Sequence, residues 1–160
     1  MAALRVGVIT CSDRCSCGEA VDTSGPALAA LCAERGWATL PVLCVADDRA
    51  TIASAIVAMA DEQQVDLLLT TGGTGLGPRD ITPEATLDVC QREAQGIAEA
   101  IRADSLRVTG RAMLSRGRAA VRGTTLVVNL PGSEKAARET FAAFADQVEH
   151  AVQMMAGGGH

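Results

Sequence analysis

Apolar residues recur along this chain at two alternating periods, one of strands and one of helices. Residues 4–10 (LRVGVIT) form a short apolar run rich in β-branched side chains, which predicts a first strand. The polar, glycine-containing stretch 11–23 predicts a loop. Ser24 then suits a helix N-cap, with Pro26 in the first turn and Gly36 past the end. Leu28, Leu31 and Cys32 fall on one face of that helix. Residues 37–45 predict a second strand, and Pro41 places it at a sheet edge because proline has no ladder donor. Ile52, Ala55, Ile56 and Met59 follow at helical spacing. Residues 65–70 (VDLLLT) are almost continuously apolar, the pattern of a parallel strand covered on both faces. Thr82 and Pro83 open another helix, with Glu84 favourably placed against its N-terminal dipole. Residues 95–106 predict a further helix, and 119–122 and 124–130 pair as a hairpin across Gly123. One long helix is expected over 134–155, with Phe141, Phe144, Val148, Val152 and Met155 as its apolar stripe.

This alternation predicts an α/β protein of three layers, α/β/α, around a mostly parallel sheet. The 160 residues suit one domain, expected over 1–156, with 157–160 as a flexible tail. Apolar residues make up 48% of the chain but aromatics only 2%, so the core is aliphatic and base-stacking on nucleic acid is not expected. A net charge of -5 argues the same way against nucleic acid and against anionic membranes. No segment reads as a membrane span, and the first residues run straight into the first strand without a secretion leader. The six cysteines are therefore expected as reduced thiols in the cytosol. Cys11, Cys15 and Cys17 are close in sequence, but their C-x3-C-x-C spacing matches no familiar zinc pattern, and they read as ordinary small thiols.

The chemistry concentrates in 65–86, VDLLLTTGGTGLGPRDITPEAT. A buried strand runs into Thr71, Gly72, Gly73, Thr74 and Gly75, at the strand end where open α/β sheets bind ligands. Glycines let the backbone approach a ligand, and successive N–H groups and hydroxyls suit an anion, so a phosphate-bearing ligand is expected. The loop lacks the lysine of a P-loop, and Pro78 stands where a dinucleotide fingerprint needs its third glycine. A tight turn alone could ask for these glycines, but Arg79 and Asp80 follow directly and favour a site.

The segment 70–86, TTGGTGLGPRDITPEAT, resembles the signature of the molybdenum-cofactor biosynthesis family, which includes bacterial molybdopterin adenylyltransferases and the G domains of gephyrin and of the plant enzyme. Further stretches agree, in order and at compatible spacing: Ser12-Asp13-Arg14 with Ser16 and Gly18, 22–26 (DTSGP), 113–116 (MLSR), 122–126 (RGTTL) and 129–132 (NLPG). The resemblance covers nearly the whole chain. It implies a molybdopterin-binding fold, a homotrimer, and a reaction in which the terminal phosphate of molybdopterin attacks the α-phosphate of Mg-ATP. Adenylylated molybdopterin and pyrophosphate would result, with a molybdenum insertase as downstream partner. Two positions depart from the family pattern, Ala46 before Asp47-Asp48 and Glu134 after the 129–132 loop, where proline is common.

Such a transfer needs two anions aligned and their charge offset, for which magnesium on one or two carboxylates is suited. Asp47 and Asp80 each follow a strand-like run and match the aspartates regarded as essential in the family, so they are the candidate catalytic and Mg2+-holding pair. Asp48 suits the cap of the next helix. The pterin phosphate is expected on 71–75, with Arg79, Ser115 and Arg116 as further contacts. Ser12, Asp13, Arg14, Asp22, Ser24 and Gly25 would reach the same crevice, with Asn129, Pro131, Gly132 and Ser133 lining its other side. Ser24 and Ser133 could equally be plain helix caps. Competing readings are a non-catalytic molybdopterin carrier or scaffold, an insertase, and a general nucleotide-binding protein. The carrier should have no need of both aspartates, an insertase needs further domains, and the nucleotide-binding reading lacks its fingerprints.

Overall fold

The computed structural model describes residues 2–158. Seven strands form one sheet: β1 (Arg5–Cys11), β2 (Ala38–Thr39), β3 (Leu43–Val45), β4 (Leu67–Thr71), β5 (Arg92–Glu93), β6 (Ala119–Arg122) and β7 (Thr125–Leu130). Their order is β2-β1-β4-β7-β6-β5, with β3 on the same flank of β1 as β2. The strands from β2 to β7 run parallel, while β6 is antiparallel to both β7 and β5. The expected hairpin is present, and Gly123 at its turn has φ +58.

Both faces of the sheet are covered. Helices α2 (Ser24–Glu34), α5 (Gln95–Leu106), α6 (Glu134–Phe144) and α7 (Val148–Met155) pack on one face. Helices α3 (Arg49–Val57) and α4 (Thr82–Val89) pack on the other. A four-residue helix, α1 (Asp13–Ser16), lies in the segment expected to be loop. The alternation of side chains explains why β4 is apolar at consecutive positions: Leu67 and Leu69 enter one core, Leu68 the other. Each of these fully buried leucines contributes about 1.5–3 kcal/mol. Trp37 and Phe141 meet edge to face at 6.1 Å, Phe141 and Phe144 at 5.8 Å. The Trp37 Nε1–H also donates to Glu149, tying α2's exit to α7.

Three further expectations change. The second strand is split around Pro41: Arg5 pairs with Ala38, but Ile9 pairs with Leu43, so this flank carries one extra residue where proline cannot donate. The long C-terminal helix is interrupted by a 3-10 turn at Ala145–Gln147, which keeps Phe144, Ala145 and Val148 in one core cluster. Ser24 does not cap α2: Thr23 holds the cap position without a side-chain bond, and the Asp22 carboxylate accepts from the Gly25 N–H instead. The expected tail is only partly described: Gly157 and Gly158 donate to Met154 and Gln153, and 159–160 lie outside the described residues. Among the described residues, no helix is long and apolar enough to cross a membrane.

Candidate active site

The carboxyl ends of β1, β3, β4 and β7 converge on the glycine loop that follows β4. Gly72 and Gly73 have φ +99 and +70, the left-handed region that glycine alone enters freely. A Cβ on Gly72 would overlap the Cys11 carbonyl, and one on Gly73 would overlap Thr82 Oγ1. Glycine is therefore required here both by torsion and by space. The loop is pinned from several sides. Gly72 N–H donates to the Leu130 carbonyl at 3.0 Å, and the Thr82 hydroxyl donates to the Gly72 carbonyl at 2.9 Å. Thr71 Oγ1 donates to the Pro131 carbonyl at 2.7 Å and lies 3.0 Å from Ser24 Oγ.

The loop stands between two cavities. The larger, about 360 Å3, draws on Thr74, Gly75, Ser115, Asn129, Pro131 and Ser133 among the residues expected from sequence. The smaller, about 160 Å3, draws on Ser12, Asp22, Ser24, Thr71, Gly72 and Gly132. The larger also contains Arg102, Arg111 and Arg118, which sequence reading missed. Arg111 and Arg118 stand beside the 113–116 motif and Arg102 in the helix before it, but ligand-facing arginines could not be told from solvated ones. A further hollow, about 410 Å3, lies away from the loop beside β5 and α7.

Around the loop the charged groups are interlocked. Asp13 N–H donates to Asp47 Oδ2, and Asp47 N–H donates to Asp13 Oδ1, both at 3.0 Å. Arg79 donates to both Asp13 oxygens, at 3.0 and 3.1 Å. That pairing, with the Asp47 N–H bond, holds the Asp13 carboxyl below its usual range. Asp47 differs: its Oδ1 is buried and has no hydrogen-bond partner among the described residues. It lies 3.3 Å from where Gly73 would carry a Cβ. Burial first, and then the negative charges of Asp13 and Asp80, push the Asp47 carboxyl above its ordinary value. Asp80 accepts the Gly77 N–H at 2.9 Å. Asp48 caps α3, accepting the Thr51 N–H.

Several expected ligand contacts are spent inside the protein. The Arg116 guanidinium grips Glu84 and two loop carbonyls, so it is a clamp and not a free phosphate fork. Glu84 is correspondingly Arg116's partner, which its helix position alone did not reveal. Arg79 is committed to Asp13. The Asn129 amide donates to Thr70 and Thr86 hydroxyls at 3.0 and 2.9 Å, and its oxygen accepts the Arg118 N–H. It lines the cavity as a cross-link between strands. Ser133 caps α6, Ser12 caps α1, and Ser115 Oγ accepts the Gly117 N–H. Asp22 accepts from the Thr10 hydroxyl, the Gly25 N–H and the Cys44 thiol. Arg14 is exposed and contributes its carbonyl to the turn at Glu19. Cys11 is buried in a core, which pushes its thiol up to about 12 and leaves it protonated.

The oxygens of Asp47 and Asp80 fit a hard divalent cation, and the orphaned Asp47 Oδ1 is the strongest sign of one. Among the described residues no three His, Cys, Asp or Glu side chains converge to hold a metal unaided. A cation here would therefore depend on ligand oxygens as well, as magnesium commonly does.

Known proteins resemble this chain over nearly its whole length. The profile of the family described as "Probable molybdopterin binding domain" matches residues 7–150. The chain is 40% identical to a molybdopterin adenylyltransferase of Helicobacter pylori over 159 residues, covering 98% of this chain and 90% of that protein. It is 39% identical to the Drosophila melanogaster molybdenum cofactor synthesis protein cinnamon, matching 97% of this chain but only 26% of that longer protein. Among solved structures, the molybdopterin biosynthesis enzyme MoaB of Thermus thermophilus superposes with a TM-score of 0.90 at 44% identity, covering 96% of this chain and 97% of that one.

Proposed function

The chain belongs to the molybdopterin-binding domain family of molybdenum-cofactor biosynthesis proteins, and from that premise we propose that it is an enzyme, a molybdopterin adenylyltransferase. It joins the terminal phosphate of molybdopterin to the α-phosphate of ATP and releases pyrophosphate. The observation that carries this reading is the pair Asp47 and Asp80 at a glycine loop flanked by two cavities, with one Asp47 oxygen buried and unpaired. Two cavities meeting at one anion-binding loop suit two phosphate-bearing substrates whose phosphates must meet in line.

The residues divide the work. Backbone N–H groups of Gly73, Thr74 and Gly75 and the guanidinium of Arg111 in the larger cavity bind and orient phosphate oxygens, while Arg102 is held by the Ser115 and Gly117 carbonyls and Arg118 by Glu93. Thr82, Thr71 and the Leu130 carbonyl hold the loop rigid, so its donors need no rearrangement on binding. The Asp13–Arg79 pair fixes the Asp47 main chain and leaves Oδ1 free. Asp47 and Asp80 hold Mg2+, which offsets the phosphate charge when bound. A non-catalytic carrier gives no account of a buried carboxylate oxygen kept without a partner.

We place the activity in one domain, 1–156, working in the cytosol as a homotrimer and passing its product to a molybdenum insertase. The match to one segment of the longer cinnamon protein supports that last link. The test is turnover of purified protein with molybdopterin and Mg-ATP, read as adenylylated molybdopterin. Asp80→Asn should still bind molybdopterin while turnover falls by about two orders of magnitude. Equal turnover in variant and parent refutes the assignment of Asp80. Molybdopterin binding without product in the parent refutes the enzyme reading and leaves a carrier.

A further inference from the structure

We infer that Arg116 is a positioning residue for the cation-holding carboxylate Asp80, an inference that rests on the function proposed above. Its guanidinium closes the glycine loop at both stems. Nε donates to the Gly75 carbonyl at 2.8 Å, on the entry side, and Nη2 donates to the Asp80 carbonyl at 2.6 Å, on the exit side. Nη1 meets both oxygens of Glu84 at 2.8 Å, and the Arg116 main-chain N–H donates to the Thr74 carbonyl at 2.7 Å. All three guanidinium nitrogens are thus engaged, which leaves no fork for a substrate phosphate.

Glu84 belongs to the first turn of α4, the helix whose Thr82 hydroxyl holds the Gly72 carbonyl. Arg116 therefore ties the loop to α4 at a point beyond the one Thr82 makes. Between the two stems, Leu76 is 68% exposed, and the turn 76–79 is exposed throughout. Without the clamp, that turn is anchored only to itself, by the Gly77 N–H donating to the Asp80 carboxylate and the Asp80 N–H donating to the Gly77 carbonyl, and to α1 by the exposed Arg79–Asp13 pair. A half-exposed ion pair such as Arg116–Glu84 is worth little for its charge. What distinguishes this one is geometry: a planar fork reaches three acceptors at once, which a lysine ammonium cannot reproduce.

The flanks of Arg116 point to a second consequence. Ser115 and Gly117 line the larger cavity, and Arg102 Nη1 donates to both their carbonyls. The same short segment thus borders the space for one substrate and fixes the carboxylate serving the other.

The experiment compares the full chain with Arg116→Ala and Arg116→Lys. Mn2+ binding in the presence of ATP is titrated by electron paramagnetic resonance, and adenylylation is measured alongside. Arg116→Ala should weaken Mn2+ binding about tenfold and lower kcat about tenfold, with molybdopterin binding changed by less than about threefold. Arg116→Lys should fall between. A folded Arg116→Ala protein with unchanged Mn2+ affinity overturns the inference. Should the alanine variant not fold, unchanged Mn2+ affinity in Arg116→Lys overturns it equally. Wild-type protein that binds Mn2+ with ATP but makes no product sinks the enzyme reading alone, because the Mn2+ comparison still decides Arg116. Wild-type protein that binds no Mn2+ with ATP overturns both.

Discussion

Replacing Asp47 by asparagine should make the unliganded protein more stable while abolishing its activity. In the folded state Asp47 Oδ1 is buried without a hydrogen-bond partner, and Asp13 and Asp80 add repulsion. An unsatisfied buried polar atom costs about 1–3 kcal/mol, more when charged. Asparagine keeps the shape and can still accept the Asp13 N–H through its oxygen. It removes the charge but leaves a buried amide without a partner, so only part of the penalty is recovered, about 1 kcal/mol. For a domain of this size that is about 2–4 °C in Tm. The sign with pH follows from the raised carboxyl value. Below the ordinary value of 3.8 wild-type Asp47 is protonated in folded and unfolded chains alike, and nothing separates the proteins. As pH rises through the raised folded value, the folded wild type must carry the charge and loses stability that the variant keeps. Calorimetry of both proteins with chelator, at pH 7.5 and again toward pH 4, gives the difference for Asp47 together with its coupled neighbours Asp13 and Asp80, since carboxylates remote from it cancel. A variant that melts below wild type at pH 7.5, or a gap that does not shrink toward pH 4, refutes the reasoning. On the function proposed above, the trade is one of stability for function: the unpaired oxygen is kept for a cation.

Asn129→Ala should act on the fold before it acts on any ligand. It strands the Thr70 hydroxyl and the Arg118 N–H, while Thr86 keeps its bond to the Thr82 carbonyl, at a cost of about 2 kcal/mol, or about 4–8 °C in Tm; a Tm change below 2 °C with lost ligand binding would make Asn129 a contact residue instead. Sedimentation velocity should give a species of three chains, and a strictly monomeric protein at micromolar concentration contradicts the homotrimer.

Period and punctuation made the architecture legible. The VDLLLT run, the hairpin across Gly123 and the helix at 95–106 were readable because each rests on local chemistry that the tertiary fold does not override. Pro41 announced a sheet edge but not that the strand would split around it, because the extra residue depends on pairing with β1. The candidate site could be drawn in outline, with Asp47 and Asp80 chosen from strand-like runs before them and from the family signature they match. The pairing of Arg116 with Glu84 and of Arg79 with Asp13 could not, since both join residues far apart in sequence. An arginine beside a glycine loop reads as a phosphate ligand until its partners are seen. Ser24 shows the same limit: as a cap it was plausible, but its hydroxyl sits in a buried contact with Thr71 that no local pattern announces.

The two flanks of the sheet bear on how this protein behaves in crowded solution. One flank is broken into pieces of two and three residues around Pro41, and the other ends in the two-residue strand of Arg92 and Glu93, both charged and exposed. Neither presents the long, flat row of unpaired amides that recruits a foreign strand into amyloid-like growth. The segment best able to do so, the leucine run of β4, lies between β1 and β7 and becomes available only when the whole sheet opens. Resistance to aggregation is therefore tied to global unfolding, and fraying at the sheet's margins does not compromise it.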